Sequence, residues 1–380
     1  MKWSLNLGTV AGIRIKIHWT FLFIVLYVFY SNYQQSGSLE TGLWGVLFIL
    51  SVFACVTLHE LGHATMGKRF GVRTRKITLL PIGGVASMEN IPEKPAHEFW
   101  IAIAGPLVNV AIAVLLYLLF SGQIVESYTR LQELTLSLAQ NGSQQMSESA
   151  HQALAIGPAN FIFYLFFVNL MLVLFNIIPA FPMDGGRILR ALLAMRMNRA
   201  RATQIAATVG QVFAFLFIIW GFYSDPFLIF IGLFVFLGAY SENMMIQQTE
   251  ALRGHRVKEV MHSAYVLLPP EARIKDAVDY LLQGHYSDFI VMDDQDRIVG
   301  LLSKPRLINA LKTMSGEDPV AAILVRDFEV LGPDERLSKI YPGVLGNEAG
   351  FYPVLEQGKL LGVVDKESID RFLMQQSSLN

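Results

Sequence analysis

Four side chains stand out as able to do chemistry together. Three lie in the run His59-Glu60-Leu61-Gly62-His63, and the fourth, Asp184, lies in the run NIIPAFPMDGGR that spans 176–187. On a helix, residues four apart project from one face, so both imidazoles reach a single metal ion. Glu60 reaches the neighbouring position, where a water would sit. A water held by zinc is acidified toward neutrality, and a nearby carboxylate takes its proton during attack on a peptide carbonyl. Asp184 as the third ligand leaves one coordination position open, which marks a catalytic rather than a structural zinc site.

The competing reading of such a run is a pair of helix histidines facing solvent. The flank speaks against it, because Trp44 to Leu58 is almost wholly apolar and no charge appears before Glu60. Ionisable groups inside such a segment are costly in lipid and are functional by default.

The 380 residues are 53% hydrophobic and only 16% charged, too apolar for one soluble domain. Residues 246–380 hold 35 of the 61 charged side chains in about a third of the length. Residues 1–245 therefore read as a membrane domain and 246–380 as a soluble one. A net charge of −1 gives no sign of a nucleic-acid partner, and the single Cys55 excludes an internal disulfide framework. Cys55 lies four residues before His59 but reads as a small buried packing residue. Lys2, Arg14 and Lys16 precede the first apolar run and no small-x-small cleavage site follows, which predicts an uncleaved first span.

A span needs about 20 nearly uncharged residues. Six stretches qualify, at 18–34, 43–68, 98–120, 160–180, 204–223 and 226–243. Pro179 and Pro182 end the fourth as a regular helix, and a second helical piece carries Asp184 to Met197. Broken backbone at membrane depth requires surrounding protein or a water-filled cavity. A hydrolase needs that water. Basic residues collect on one side: the N-terminal segment, the loop with Lys68, Arg69, Arg73, Arg75 and Lys76, the group Arg190, Arg196, Arg199 and Arg201, and the tail with Arg253, Arg256 and Lys258. Both termini are then cytoplasmic. The second and fourth spans both run inward and bring His59, His63 and Asp184 to a similar depth.

Between spans two and three, Lys76–Pro92 contains Gly83-Gly84 and a turn-like Glu89-Asn90. It reads equally as an ordinary loop or as a hairpin whose edge could pair with an extended substrate. Gly105-Pro106 signals close helix packing or a kink. Asn109 and Asn176 hydrogen-bond either at the site or between helices, and His18 and His97 read as interfacial anchors. The stretch 121–159, rich in Gln and Ser, reads as partly helical and too short for a domain of its own.

From Arg256 an internal repeat appears. Leu268-Pro269-Pro270-Glu271-Ala272-Arg273-Ile274 recurs as Leu331-Gly332-Pro333-Asp334-Glu335-Arg336-Leu337, and Ile298 to Leu302 recurs as Leu360 to Val364. Each copy, about 256–314 and 318–375, reads strand, helix, two strands, helix. One copy alone leaves an apolar sheet face open, so the two should pack as a pair.

HELGH at 59–63, GPLVN at 105–109 and NIIPAFPMDGG at 176–186, in this order and followed by the repeat, resemble the site-2 protease family of intramembrane zinc metalloproteases with C-terminal tandem CBS domains. The resemblance implies a polytopic α-helical membrane protein of about six transmembrane helices with a C-terminal α/β tandem CBS domain. It would lie in the plasma (inner) membrane, with the N-terminus and CBS domains cytoplasmic. One Zn2+ per chain would be held by His59, His63 and Asp184, with Glu60 as general base. Asn109 and Asn176 would support substrate or transition state, and Gly83 and Gly84 lie in the edge segment beside it. The implied substrate is a transmembrane protein, such as an anti-sigma factor or another membrane-tethered regulator.

CBS pairs elsewhere bind adenine nucleotides, with a Ser/Thr and an Asp of each copy holding the ribose. Here Arg306 stands at the Asp position of the first copy, and the second copy, from Gly362 to Ser368, lacks both. Nucleotide sensing with altered chemistry, homo-oligomerisation and substrate docking all remain open for the pair. Two rivals to the protease are a CBS-gated metal transporter and a catalytically silent membrane scaffold. The first needs ligands along a path rather than at one depth, and the second is disfavoured because all four catalytic positions are present.

Overall fold

The computed structural model describes residues 4–72, 74–81, 83–88, 92, 94–141, 156–284, 288–346 and 349–379. Arg73, the Glu89-Asn90 pair and residues 142–155 lie outside them. The chain forms two compact units, Met1–Asn243 and Met244–Asn380.

The first unit opens with a hairpin, β1 (Ser4–Val10) and β2 (Ile13–His18), to which the sequence reading gave no structure. Its signal was the alternation Ile13-Arg14-Ile15-Lys16-Ile17, which buries Ile13 and Ile15 and leaves Arg14 exposed. β2 pairs in parallel with β3 (Thr74–Leu80), and β3 pairs antiparallel with β4 (Gly83–Met88). The segment read as either loop or hairpin is thus a hairpin, and β4 ends the sheet order β1-β2-β3-β4. The parallel step needs a long crossover. Helices α1 (Phe21–Ser36) and α2 (Leu39–Arg69) supply it, packing Phe21, Phe53 and Ala64 against Ile77 and Leu79 of the sheet.

Among the described residues five further helices follow: α3 (Pro95–Asn141), α4 (Phe161–Ile177), α5 (Asp184–Ala194), α6 (Arg199–Tyr223) and α7 (Phe227–Ala251). Among the described residues, α2, α3, α6 and α7 are long and apolar enough to cross a membrane. At the first and fourth expected spans stand the shorter apolar helices α1 and α4. With 17 residues, α4 rises roughly 25 Å, short of a hydrocarbon core of about 30 Å. The third span also runs on past its expected end at 120, through a non-helical Phe120, into the stretch that had read as partly helical.

After α4 the backbone is irregular, and its centre is buried in protein although Pro182 is exposed. Ala180 and Phe181 are fully covered, among Ala206, Ala207 and Ala214 of α6 and Val235 and Ala239 of α7. The chain then turns back sharply into α5, and a Cβ at Gly185 would stand 2.1 Å from the Ile178 carbonyl oxygen, so only glycine fits there.

One buried ion network ties these helices together. Arg190 of α5, 2% exposed, donates from Nε to Glu98 of α3 at 2.8 Å and from Nη1 to Glu242 of α7 at 2.5 Å. Glu98 also accepts from Arg199 of α6 at 2.6 Å, and Arg199 donates to the Pro92 carbonyl.

In the second unit, the first copy has the expected order: β5 (Val266–Leu268), α8 (Ile274–Leu282), β6 (Asp288–Met292), β7 (Ile298–Ser303) and α9 (Lys304–Ala310). The second has α10 (Leu337–Gly346), β8 (Phe351–Glu356), β9 (Lys359–Asp365) and α11 (Lys366–Leu379), but its first strand shrinks to one parallel bridge, Leu331 to Val354. Pro353 explains the loss. It stands in β8 where β6 has Ile290, and it has no N–H to extend the parallel ladder.

The copies also exchange their lead-in segments. Val257 N–H donates to the Glu335 carbonyl and His262 pairs with Val363, while Ile274 N–H donates to the Asp318 carbonyl and Val325 pairs with Leu301. Neither copy closes its core without the other, and Ile290, Leu301, Val325, Phe351 and Val363 form a shared centre.

Removing the arginine of the network would take from Glu242 its ion partner and leave the buried Glu98 with Arg199 alone. Arg190→Ala is expected to destabilise the first unit by about 3–5 kcal/mol. The drop should appear in the thermal transition of the detergent-solubilised chain, and a transition unchanged from wild type would count against the network as a structural tie.

Candidate active site

α2 sets His59 and His63 one turn apart, with ring centroids at 4.7 Å and the two Nε2 atoms at 3.0 Å. Asp184, the first residue of α5, brings its Oδ2 to 3.1 Å from each Nε2. At a helix start the carboxylate also faces the favourable end of the dipole. All three residues are buried.

The other ring nitrogens fix the protonation pattern. His63 Nδ1 lies 2.7 Å from the Ile101 carbonyl oxygen, which only accepts, so Nδ1 carries the proton. His59 Nδ1 lies 2.5 Å from Asn109 Oδ1. That amide is oriented in turn, because Asn109 Nδ2 donates to Asn169 Oδ1 at 2.8 Å. Asn169 donates from its own Nδ2 to the Leu165 carbonyl at 2.8 Å and to Cys55 Sγ at 3.4 Å. In their neutral form both rings then turn Nε2 lone pairs toward the same carboxylate oxygen.

Three electron-rich atoms so close repel one another unless a cation lies among them. Tetrahedral zinc with ligands at 2.0–2.1 Å sets neighbouring ligand atoms about 3.3 Å apart, near the spacing found here. The donor set, two imidazoles and a carboxylate with their outer nitrogens hydrogen-bonded, fits zinc.

Backbone passes closely on two sides. A Cβ at Gly105 of α3 would stand 2.2 Å from His63 Nε2 and 2.7 Å from His59 Nε2, so any side chain there would displace the rings. At Gly84 of β4 a Cβ would stand 2.8 Å from Glu60 Cγ, so the edge strand runs directly beside the half-buried Glu60.

The structure thus brings together His59, His63, Asp184 and Asn109, with Glu60 and Gly84 in contact alongside. Gly83 has a positive φ of 135° and open space at its Cβ position. Asn176 instead donates to the Leu172 carbonyl of its own helix. The buried amide partner is Asn169, which sequence reasoning missed. It was visible as a lone amide in the apolar run from Phe161 to Phe175, two helical turns before Asn176. Glu98, Arg190 and Glu242 were missed because partners so distant in sequence carry no local signature.

A buried zinc-type donor set, with a carboxylate beside it, inside a bundle of membrane-spanning helices defines a membrane-embedded metalloprotease. Comparison with known proteins makes the class specific. The model of peptidase family M50 matches residues 47–219, and the CBS domain model matches residues 257–313. The zinc metalloprotease MJ0392 of Methanocaldococcus jannaschii is 33% identical over 379 residues, covering 98% of this chain and 96% of that protein. The putative zinc metalloprotease Rip3 of Mycobacterium tuberculosis is 27% identical over 372 residues, covering 88% of each. A solved site-2 protease from Methanocaldococcus jannaschii shares 35% identity, covering 63% of this chain and 95% of that one at a TM-score of 0.42. The chain belongs to peptidase family M50, the site-2 proteases, and carries C-terminal CBS domains.

Asn169 reaches the metal site through Asn109. Asn169→Leu frees the Asn109 amide to turn and is expected to weaken zinc binding 10- to 100-fold, as losses of outer-shell partners do. Competition with a chromophoric chelator measures this, and an unchanged affinity would remove the relay from His59.

Proposed function

We infer that the chain cleaves membrane-anchored protein substrates close to the cytoplasmic face of the inner membrane, with zinc held by His59, His63 and Asp184 and with Glu60 as general base. The observation that carries the reading is the convergence of two Nε2 lone pairs and one carboxylate oxygen beside Glu60. Bound there, zinc would acidify a water and polarise the peptide carbonyl.

The protein's own groups divide the remaining work. Glu60 accepts the proton of the attacking water and returns it to the departing amine. Asn109 and the Ile101 carbonyl hold the imidazoles in the tautomer that keeps both Nε2 atoms unprotonated. A helical substrate must unwind before its carbonyls are free. β4 offers an edge for the unwound segment, because it pairs with β3 on one side and Gly84 keeps its path over Glu60 clear. The one-sided distribution of basic residues, read as marking the cytoplasmic face, supports this depth.

A membrane-tethered regulator is the substrate class this geometry serves, since cleavage near the cytoplasmic face frees a soluble domain. The CBS pair would set the rate of access, which requires its effector to bind two states differently. Its ribose-type positions are engaged inside the protein. Arg306 donates to the Ile323 carbonyl, and Asp365 and Ser368 cap each other, Ser368 N–H donating to Asp365 Oδ1 at 2.7 Å. An adenine nucleotide would have to be held by other groups.

Glu60→Gln is expected to lower cleavage of a membrane-anchored test substrate by about 10²- to 10⁴-fold while zinc content stays at wild-type level. His59→Ala should lose both. Cleavage by Glu60→Gln at the wild-type rate would remove the base assignment.

A further inference from the structure

The internal repeat makes each position of one CBS copy comparable with its counterpart in the other. The bridge His262–Val363 corresponds to Val325–Leu301, and the cross-strand pair Asp288–Ser303 corresponds to Phe351–Asp365. Val325 and Phe351 are buried in the apolar centre of the pair. At the equivalent places around the pseudo-twofold stand His262 and Asp288, and Asp365 replaces Ser303. Three positions that are apolar or neutral on one side are thus an imidazole and two carboxylates on the other.

These three side chains meet. One ligand atom from each of His262, Asp288 and Asp365 lies within 4.8 Å of the others. Asp288 is 6% exposed, and the His262 and Asp365 side chains are 21% and 13% exposed. His262 Nε2 is shielded from water and faces Asp365 Oδ2 at 3.5 Å, beyond a good hydrogen bond. Taken by itself, the cluster keeps a net negative charge even with the imidazole protonated. One imidazole nitrogen and two carboxylate oxygens gathered in this way are a donor set for a divalent cation.

We propose that His262, Asp288 and Asp365 form a second metal site, separate from the proteolytic one, that takes a divalent transition metal of the zinc class. One nitrogen and two carboxylate oxygens suit zinc, cobalt or nickel better than calcium, which prefers six to eight oxygens. The backbone is already placed for it. His262 is held by the ladder to Val363, with both bonds at 2.9–3.0 Å, and Asp365 lies two residues further along the same strand. Asp365 gives Oδ1 to the Ser368 N–H, which leaves Oδ2 for the ion. A cavity of about 240 Å³, lined by Val260, His262, Ser368, Arg371 and Phe372 among others, opens beside His262. One rearrangement is required. The Ala264 N–H lies 3.2 Å from His262 Nδ1, so binding through Nε2 moves the ring proton to Nδ1 and gives up this long contact. The ion would join the segment that follows α7 to strands of both copies.

The test uses the full chain in detergent, stripped with chelator, reloaded with zinc, freed of excess by gel filtration and measured for metal per chain. Wild type is expected to hold about two zinc ions, and His262→Ala, Asp288→Asn and His63→Ala about one each. The double variant His63→Ala with His262→Ala should hold none. Cobalt loading of His63→Ala should give a visible absorption that His262→Ala abolishes in that background. A His262→Ala chain with wild-type metal content overturns the proposal, whether that content is one or two. The same holds for a single zinc that vanishes in His63→Ala. If instead the proteolytic site is misassigned, His63→Ala leaves the metal content unchanged while His262→Ala lowers it. Should His262→Ala fold poorly, as its metal-free thermal transition would reveal, the near-isosteric Asp288→Asn decides by the same measurement.

Discussion

Two imidazole nitrogens and a carboxylate oxygen held about 3 Å apart inside an apolar bundle are an unfavourable arrangement, and much of the first unit exists to maintain it. Each histidine must present an unprotonated Nε2, and the opposite nitrogen decides that. For His63 a backbone carbonyl suffices, since it can only accept. For His59 the acceptor is an amide, which could turn over, so a second buried amide fixes the first. Three helices, α2, α3 and α4, therefore contribute polar groups to one hydrogen-bonded chain that ends on the metal-facing nitrogens.

The third donor is harder to position, because Asp184 follows a stretch of non-helical backbone. That stretch is stable at this depth only when enclosed, and alanines of α6 and α7 allow the enclosing helices close. One and a half turns further along α5, Arg190 is gripped by carboxylates from α3 and α7. The two ends of α5 are thereby held by different physics. Steric closeness at Gly185 fixes where the helix starts, and the ion network fixes how it is turned. A rotation of α5 would swing Asp184 from the histidines and pull Arg190 from its carboxylates together, so the two ends reinforce one register.

How much of this was legible depended on whether the information was local. Two histidines four apart in an apolar helix announce a metal pair, and Pro179 and Pro182 announce the break before Asp184. The CBS copies announced themselves by repetition. The amphipathic N-terminal hairpin was legible in principle, since Ile13, Ile15 and Ile17 alternate with Arg14 and Lys16, yet the basic residues drew attention as topology signals instead. Asn176 drew attention over Asn169 because it belongs to the motif. Both lie on α4, but only the more deeply buried amide meets Asn109, and the other satisfies itself on Leu172. Nothing local marks Glu98, Arg190 and Glu242 as partners, since their pairing depends on how α3, α5 and α7 pack.

The repeat shows a different kind of information, present in the sequence but readable only through structure. Two copies related by a pseudo-twofold should have equivalent cores if their only task were to close on each other. Val325 and Phe351 satisfy that task on one side. Placing His262 and Asp288 at the matching places gives up apolar burial at the centre of the pair and introduces groups that are costly to desolvate. The compensation has to come from what those groups do, because packing alone would favour the apolar pair. The same asymmetry extends to the strands. Pro353 shortens the β ladder of the second copy, whereas the two lead-in bridges, His262–Val363 and Val325–Leu301, are equivalent. His262, on the charged side of the pair, lies in the segment that follows α7 and is paired with Val363 of β9.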